Sequence, residues 1–110
     1  MIEQENVIAF FNECAGSWDA GMVRSDAKIG RILDNTGVTA GSRVLDVACG
    51  TGVLIGDYLR RNVRSVTAVD IAPEMLRIAR EKYPQENVRF VCGDAATADL
   101  GRDFDAIVVY

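Results

Sequence analysis

The sequence contains no histidine, and its three cysteines, Cys14, Cys49 and Cys92, lie far apart without a Cys-x-x-Cys pair. Structural zinc sites combine thiolate and imidazole ligands at short spacings, so this composition predicts no bound metal. We expect the cysteines to be reduced and to act as small apolar side chains. For Cys49 a second interpretation stays open, a reactive thiol at the start of a helix.

Positive charge and long apolar runs are also scarce. The chain has 12 lysines and arginines against 16 aspartates and glutamates, which gives a net charge of −4 and no basic stripe. This balance argues against a nucleic-acid partner and against attraction to anionic lipid. No apolar run reaches membrane-spanning length, and the start, MIEQENVIAFF, lacks a basic leader. We therefore expect a cytoplasmic protein without a membrane segment.

After residue 40 the sequence alternates short β-branched runs with helical stretches, a pattern typical of βαβ units and a parallel sheet. A length of 110 residues suits one domain, which we predict to consist of a helical segment over 1–40 and a βαβ core over 41–110. The predicted strands cover 43–48, 65–70, 87–92 and 105–110. The predicted helices cover 3–14, 25–35 and 52–61, and a fourth begins at Pro73.

Right-handed crossovers would arrange these strands in the order 3-2-1-4, which is part of a Rossmann-like, doubly wound α/β sheet. The fourth strand, DAIVVY, is apolar on both faces like a central strand, yet this order leaves it at an edge. We therefore expect the chain to be the N-terminal part of a larger domain, or a homodimer that pairs through this strand. The alternative is a chain that is complete at this length.

The stretch VLDVACGTG, residues 44–52, runs from the first strand into a glycine turn. In sheets of this type a ligand binds beyond the carboxyl ends of the strands, where the strand order reverses. Gly50 and Gly52 would permit a tight turn and a close approach of the ligand to the backbone. With Gly56 the spacing is GxGxxxG, which is a weak match to the dinucleotide-binding fingerprint.

Three aspartates at successive strand ends restrict the ligand further. The carboxylate of Asp46 would repel a pyrophosphate in a partly desolvated cleft but would attract an ammonium group. Asp70 lies 18 residues after Gly52, about the spacing at which an acid binds ribose hydroxyls in these folds. Asp94 follows the third strand and could accept a hydrogen bond from an adenine amino group. S-Adenosylmethionine carries all three groups, so the pattern favours this cofactor.

These stretches resemble class I S-adenosylmethionine-dependent methyltransferases, and in particular the small-molecule branch that includes enzymes of quinone biosynthesis. The resemblance rests on VLDVACGTG, VTAVDIAPEML, VCGDAATADL and FDAIVVY, and upstream on FFNECAGSWD, where an aromatic-acid pair precedes the glycine motif. It implies in-line transfer of a methyl group to a small-molecule acceptor, with S-adenosylhomocysteine as product. No catalytic base is identified.

The resemblance also implies roles for single residues. Asp46 and the backbone of Gly50 would hold the methionine amino group, and Trp18 would close over the same end. Asp70 would bind the ribose. The complete set of cofactor-binding residues that we expect is Trp18, Asp46, Ala48, Gly50, Thr51, Gly52, Asp70, Ile71, Asp94 and Ala95.

The adenine would lie against Ile71, with Asp94 and the Ala95 amide at its edge. Ala48 stands where the family commonly has a glycine, so we expect a slightly tighter fit at that point of the turn.

Each of these residues also has a purely structural interpretation. Asp46 could cap a helix, Asp70 could be the N-cap ahead of Pro73, and Asp94 is a favoured turn residue. Gly50 and Gly52 could merely allow a turn.

Aromatic residues are open to similar alternatives. Trp18 could be a half-buried core residue rather than a lid. Phe10 and Phe11 are assigned to packing, and Tyr110 is interpreted as an ordinary strand aromatic. Ile71 and Ala95 would be packing and loop residues if the resemblance did not hold.

Two other functions remain open at this point. A nicotinamide-dependent oxidoreductase would require a first strand end that tolerates anions, which Asp46 opposes. A non-catalytic cofactor-binding fragment or interaction module is the other, because nothing in these residues resembles an acceptor pocket.

Overall fold

A computed structural model of the chain describes residues 4–22 and 24–109, and it contains four helices and four strands within these ranges. The order of elements is α1 (Gln4–Trp18), α2 (Asp26–Thr36), β1 (Arg43–Val47), α3 (Ile55–Arg60), β2 (Ser65–Asp70), α4 (Pro73–Lys82), β3 (Val88–Cys92) and β4 (Ala106–Val109).

The four strands form one parallel sheet in the order β3-β2-β1-β4, which confirms the predicted topology. The register aligns Val44 of β1 with Val66 of β2 and with Ala106 of β4. Since the order reverses between β1 and β4, the carboxyl end of β1 is the point at which this architecture binds ligands.

One face of the sheet carries the main core. Val44, Val66 and Ala106 share this face and are buried against side chains of three helices. The helix residues in this cluster are Ile29 and Leu33 of α2, Ile55 and Tyr58 of α3, and Leu76 of α4. Asp46 points to the same side as Val44, because side chains alternate along a strand.

The opposite side of β4 is solvent-exposed. Ile107 and Val109 are 56% and 71% exposed, whereas their neighbours Ala106 and Val108 are buried. The predicted position of this strand at the edge is confirmed by the sheet order. Tyr110, which was predicted to end the strand, lies outside the described residues.

Helix α1 packs along α4 in a second apolar cluster. Ala15 of α1 is buried against Ala72 and Met75, and Phe11 and Trp18 pack around them. Because α4 follows β2 directly, this packing brings the end of α1 to the carboxyl edge of the sheet. None of the helices in the described ranges combines the length and the apolar character that a bilayer span requires.

The ends of α2 and α4 follow from their local sequences. The hydroxyl of Ser25 accepts a hydrogen bond from the Lys28 amide at 3.4 Å, and Gly37 closes α2 in a left-handed conformation with φ 80°. Pro73 occupies the first turn of α4, where its missing N–H leaves no bond unmade.

Several predicted boundaries differ from the structure, most of them by one residue. Helix α1 continues to Trp18 instead of ending at residue 14, and β1 ends at Val47 because Ala48 adopts φ 59°. Helix α3 begins at Ile55 instead of at Gly52. The reason is the positive φ of Gly52, 83°, which is incompatible with a right-handed helix and leaves residues 51–54 in turns.

Candidate functional site

Two adjoining cavities lie at the carboxyl ends of β1 and β2. The larger has a volume of about 440 Å³ and the smaller about 170 Å³. Trp18, Ala48 and Gly50 line both of them. The larger cavity is lined by Phe11, Trp18, Val47, Ala48, Gly50, Val69, Asp70, Ile71, Met75, Gly93 and Ala95. The smaller is lined by Trp18, Met22, Asp46, Ala48, Cys49, Gly50, Val53 and Leu54.

The glycine turn that separates the cavities needs left-handed backbone at alternate residues. Ala48, Gly50 and Gly52 have φ values of 59°, 58° and 83°. The Cys49 amide between them donates to the carbonyl of Val69 at 3.0 Å, which fastens the turn to β2. A Cβ at Gly50 would lie 3.9 Å from Nε1 of Trp18, so the indole ring covers this glycine closely. Ala48 adopts a conformation that glycine occupies more easily.

Gly52 serves packing rather than the cavities. A Cβ at this position would lie 3.1 Å from Ile55 and 3.3 Å from the ring of Tyr83. At Gly56 a Cβ would lie 2.9 Å from the Tyr83 hydroxyl. Tyr83 was not identified as important from the sequence.

Asp70 joins the glycine turn to the loop after β2. Its Oδ2 accepts a hydrogen bond from the Gly50 amide at 2.8 Å, and its Oδ1 accepts one from the Ala72 amide at 2.9 Å. The Gly93 amide donates to its main-chain carbonyl at 2.9 Å. Ala72, not Asp70, is the N-cap of α4, and Asp70 lines the larger cavity. Asp70 therefore holds together the three loops around that cavity.

Asp46 is almost completely buried, with 2% of its surface exposed, and it lines the smaller cavity. Its Oδ2 has no hydrogen-bond partner among residues 4–22 and 24–109. Burial raises the pKa of the carboxyl group to about 7; the nearby Tyr58 hydroxyl opposes this shift, and repulsion from Asp70 adds to it. The side chain does not cap a helix in this structure, since α3 begins at Ile55 with Leu54 as N-cap.

The adenine-binding residues expected from the resemblance are only partly in the cavity wall. Ile71 and Ala95 line the larger cavity together with Gly93. Asp94 is exposed and lies outside both linings, and its Oδ1 accepts a hydrogen bond from the Ala96 amide at 2.8 Å. This is the geometry of a turn residue.

Aromatic side chains of α1 cover the larger cavity. Trp18 is half-buried and meets the ring of Phe11 edge-on, with 5.8 Å between the ring centroids. Phe11 was assigned to packing, and it does pack on Trp18, but it also lines the cavity. Phe10 packs edge-on against Phe11, with 5.3 Å between the ring centroids, as its assignment to packing predicted, but 58% of its surface is exposed.

The segment that follows α1 is tied to the glycine turn. The hydroxyl of Thr51, which is fully buried, donates to Oδ1 of Asp19 at 2.5 Å, and Lys82 contacts Oδ2 of Asp19 at 2.9 Å. Burial opposes ionisation of Asp19, but the bonds from Thr51 and Lys82 outweigh it and lower its pKa. Thr51 thus supports the turn from behind and lines neither cavity.

A second set of contacts to a distant part of the chain lies further along the same segment. Arg24 binds both carboxylate oxygens of Asp57 at 2.6 and 2.7 Å and the carbonyl of Val53 at 2.8 Å. Arg24 and Asp19 were not identified as functional from the sequence. The partners named here are between 29 and 63 residues away in the chain, so no local pattern marks them.

The ionisable side chains in the described walls of the cavities are few. Among the lining residues there is no lysine or arginine, and the groups that can ionise are Asp46, Asp70 and Cys49. Burial raises the pKa of the Cys49 thiol, with repulsion from Asp46 and Asp70 adding to it, so the thiol stays protonated. This agrees with the interpretation of Cys49 as a small apolar filler. No cluster of potential metal ligands occurs in the described part of the chain.

Comparison with known proteins places this geometry in a family. A family model described as a methyltransferase domain matches residues 44–110. A malonyl-[acyl-carrier protein] O-methyltransferase of Acetivibrio thermocellus is 34% identical over 98% of this chain and 39% of its own length. A ubiquinone biosynthesis O-methyltransferase of Xanthomonas axonopodis is 39% identical over 62% of this chain and 30% of its own.

A solved structure shares the fold. The TehB-like S-adenosylmethionine-dependent methyltransferase of Corynebacterium glutamicum superposes with a TM-score of 0.70 at 26% identity, covering 93% of this chain and 55% of that one. The chain therefore spans about half the length of this structure and less than half of the two curated relatives. By the match over residues 44–110, the chain belongs to the methyltransferase domain family and has the class I, Rossmann-like fold that the sequence predicted.

Proposed function

We propose that the two cavities bind S-adenosylmethionine and that the protein transfers its methyl group to a small-molecule acceptor, leaving S-adenosylhomocysteine. The observation that carries this proposal is the buried carboxylate of Asp46, which lines the smaller cavity and whose Oδ2 has no hydrogen-bond partner among the described residues. A buried carboxylate is costly unless a cation or a donor satisfies it. The ammonium group of the methionine moiety supplies both.

The division of the site into two cavities suits the two ends of this cofactor. The larger volume of about 440 Å³ is in the usual range for a nucleoside-sized ligand, and its wall is mainly apolar. In our proposal the adenosine occupies it, with the ribose hydroxyls on Asp70 and the adenine between Ile71 and Ala95. The amino-acid end occupies the smaller cavity, with Asp46 and the Gly50 backbone beside it.

Trp18 lines both cavities and lies over Gly50, which supports its proposed role as a cover for the amino-acid end. Ala48 lies in the wall of both. Thr51, Gly52 and Asp94 lie outside both walls, so direct contact between these three residues and the cofactor stays a prediction. Thr51 and Gly52 contribute through the shape of the turn.

The cofactor supplies the chemistry when bound, because its sulfonium centre carries the activated methyl group. The protein binds the two ends of the molecule, orients it and keeps water from it. Phe11, Trp18 and Met75 supply apolar surface for this purpose. We assign no catalytic base.

A nicotinamide dinucleotide is the weaker candidate. Its pyrophosphate would lie near Asp46 and Asp70, while no basic side chain among the described lining residues would offset the repulsion. A non-catalytic cofactor-binding module is the remaining alternative, and a bound cofactor without methyl transfer would favour it.

Isothermal titration calorimetry with S-adenosylhomocysteine and with NADH tests the proposal. We expect one S-adenosylhomocysteine per chain and no heat from NADH. Asp46→Asn should weaken binding at least tenfold, as expected for the loss of one charged hydrogen bond. Asp99→Asn, a change of the same chemistry in an exposed loop, should bind like the wild type. NADH binding, or unchanged affinity in Asp46→Asn, would contradict the proposal.

We further propose that two copies of the chain pair through β4, because Ile107 and Val109 expose apolar surface beside an open strand edge. Multi-angle light scattering should show a dimer that Val109→Lys converts to a monomer. A monomeric wild type at all concentrations would refute this pairing. The absence of a nucleic-acid partner and the cytoplasmic location remain predictions from the sequence.

A further inference from the structure

Two buried side-chain oxygen atoms in the described ranges lack a hydrogen-bond partner; one belongs to Asp46, which lines the smaller cavity, and the other to Tyr58, which lies near Asp46. They are Oδ2 of Asp46 and the hydroxyl oxygen of Tyr58. Tyr58 is on α3 and is completely buried, with 0% exposure, on the sheet face to which Asp46 points. Its hydroxyl is close enough to Asp46 to influence the pKa of the carboxyl group.

The apolar surroundings of Tyr58 mean that its buried hydroxyl lowers the stability of the folded state. The ring belongs to the main core cluster, together with residues such as Leu33 and Ile55. A phenylalanine would fill the same volume without a polar atom, whereas a buried hydroxyl without a hydrogen-bond partner destabilises the folded state. A partner in another state of the site would offset that cost.

The groups around Asp46 show how its carboxylate and the Tyr58 hydroxyl can become partners. Asp70 at the end of β2 repels the ionised carboxylate, and Cys49 in the glycine turn is a neutral thiol. On β4 the aligned neighbour is Val108, which does not titrate. Asp57 near Tyr58 is itself paired with Arg24 and Arg60. None of the groups that directly neighbour Asp46 is a cation. Among them, the hydroxyl of Tyr58 is the group that can donate a hydrogen bond to an ionised Asp46.

We propose that Tyr58 is a positioning residue for Asp46: its hydroxyl donates to the carboxylate when an ammonium group enters the smaller cavity, so that cofactor binding releases the proton of Asp46 to solvent. This inference rests on the proposed function. In the free protein the buried carboxyl group, with a pKa of about 7, is mostly protonated at pH 6. In the complex one carboxylate oxygen faces the ammonium group and the other accepts from Tyr58, which stays protonated because burial raises its pKa.

Calorimetry in buffers of different ionisation enthalpy measures the proton release directly. At pH 6 we expect about one proton released for each S-adenosylhomocysteine bound, and at pH 8 close to none, because Asp46 titrates near pH 7. 5′-Methylthioadenosine, which has no ammonium group, should bind without proton release at either pH. Asp46→Asn should abolish the proton release on S-adenosylhomocysteine binding.

Tyr58→Phe separates a positioning role from a structural one. The variant lacks the donor that stabilises the ionised carboxylate, so its affinity for S-adenosylhomocysteine should fall about tenfold at pH 6 and clearly less at pH 8. A structural role would lower both affinities by the same factor. Tyr83→Phe removes the same atom from a tyrosine near Gly56 and should keep the wild-type pH dependence.

The outcomes distinguish the two proposals. If neither S-adenosylhomocysteine nor 5′-methylthioadenosine binds, the proposed function fails. If both bind and neither releases a proton, or if Tyr58→Phe loses affinity equally at both pH values, the role of Tyr58 is refuted while the proposed function stands.

Discussion

The carboxylate of Asp70 accepts a hydrogen bond from the amide of Gly50 at 2.8 Å, so the end of β2 fixes the glycine turn that follows β1. The other carboxylate oxygen holds the Ala72 amide at 2.9 Å. Both oxygens are thus used within the protein, and each keeps a lone pair for a ligand hydroxyl. The side chain both shapes the turn and borders the larger cavity.

Asp70→Asn should therefore lower stability and affinity together. An asparagine has one oxygen and one NH₂ group, so one of the two backbone amides would face a donor. We expect the free energy of unfolding in urea to fall by about 1–3 kcal/mol and the affinity for S-adenosylhomocysteine to fall at least tenfold. Asp99→Asn, whose carboxylate accepts one bond from Gly101 at 3.3 Å, is the control and should change neither. Equal effects in the two variants would contradict the role of Asp70 in fixing the glycine turn and binding the ligand.

Ala48→Gly should stabilise the protein. Ala48 has φ 59°, a conformation in which its Cβ crowds the backbone, and it is exposed, so little packing is lost with the methyl group. We expect a gain of about 1 kcal/mol in the free energy of unfolding. Ala40→Gly, also an exposed turn residue but without positive φ, should be neutral or destabilising. Destabilisation by Ala48→Gly would mean that the methyl group makes a contact that outweighs the strain.

Asp46→Asn should stabilise the ligand-free protein at alkaline pH. The pKa of Asp46 is about 7 in the folded protein and near 4 in an unfolded chain, so the folded state binds the extra proton between these values. The contribution of Asp46 to the free energy of unfolding of the wild type is fully present below about pH 4. It is lost as the pH rises through 7, by about 4 kcal/mol in total. The asparagine variant does not titrate here.

Urea unfolding of the two proteins from pH 4 to pH 8 measures this difference. The stability of the variant relative to the wild type should rise across this window and level off above about pH 7. A gap that is independent of pH would mean that Asp46 is ionised throughout, and would remove the basis for its coupling to an ammonium ligand.

Gly56→Ala should destabilise the chain through Tyr83. The new Cβ would lie 2.9 Å from the tyrosine hydroxyl but 3.6 Å from the ring carbon that bears it. Tyr83→Phe removes the clashing atom, so the double variant should recover at least half of the loss. A double-mutant cycle of unfolding free energies should give a coupling of about 1 kcal/mol. Additive effects would show that the clash is relieved elsewhere, for example by movement of Arg60.

The strands and their order could be predicted because both depend on local and chiral rules. Short β-branched runs mark β1 and β2, Pro73 marks the first turn of α4, and right-handed crossovers leave few possible orders. The position of Asp70 at a strand end could be predicted for the same reason. Family resemblance added Trp18, which no local pattern would single out.

The remaining features depend on contacts between distant residues. The start of α3 was misplaced because three alternate residues of the turn adopt positive φ, and an alanine among them gives no sign of it. Asp19 gains its role from Thr51 and Lys82, which are 32 and 63 residues away. The burial of Asp46 likewise could not be predicted, because it depends on the packing of α3, with Tyr58, against the sheet. A position near a strand end by itself suggests an exposed side chain.

The location of Trp18 gives the protein a built-in optical reporter. It is the only tryptophan of the sequence, and it borders both cavities. Emission excited at the red edge of the absorption band therefore comes from a single indole in contact with the site. Any ligand that fills either cavity changes the polarity around that ring, and the occupancy of the pocket can be followed without a label.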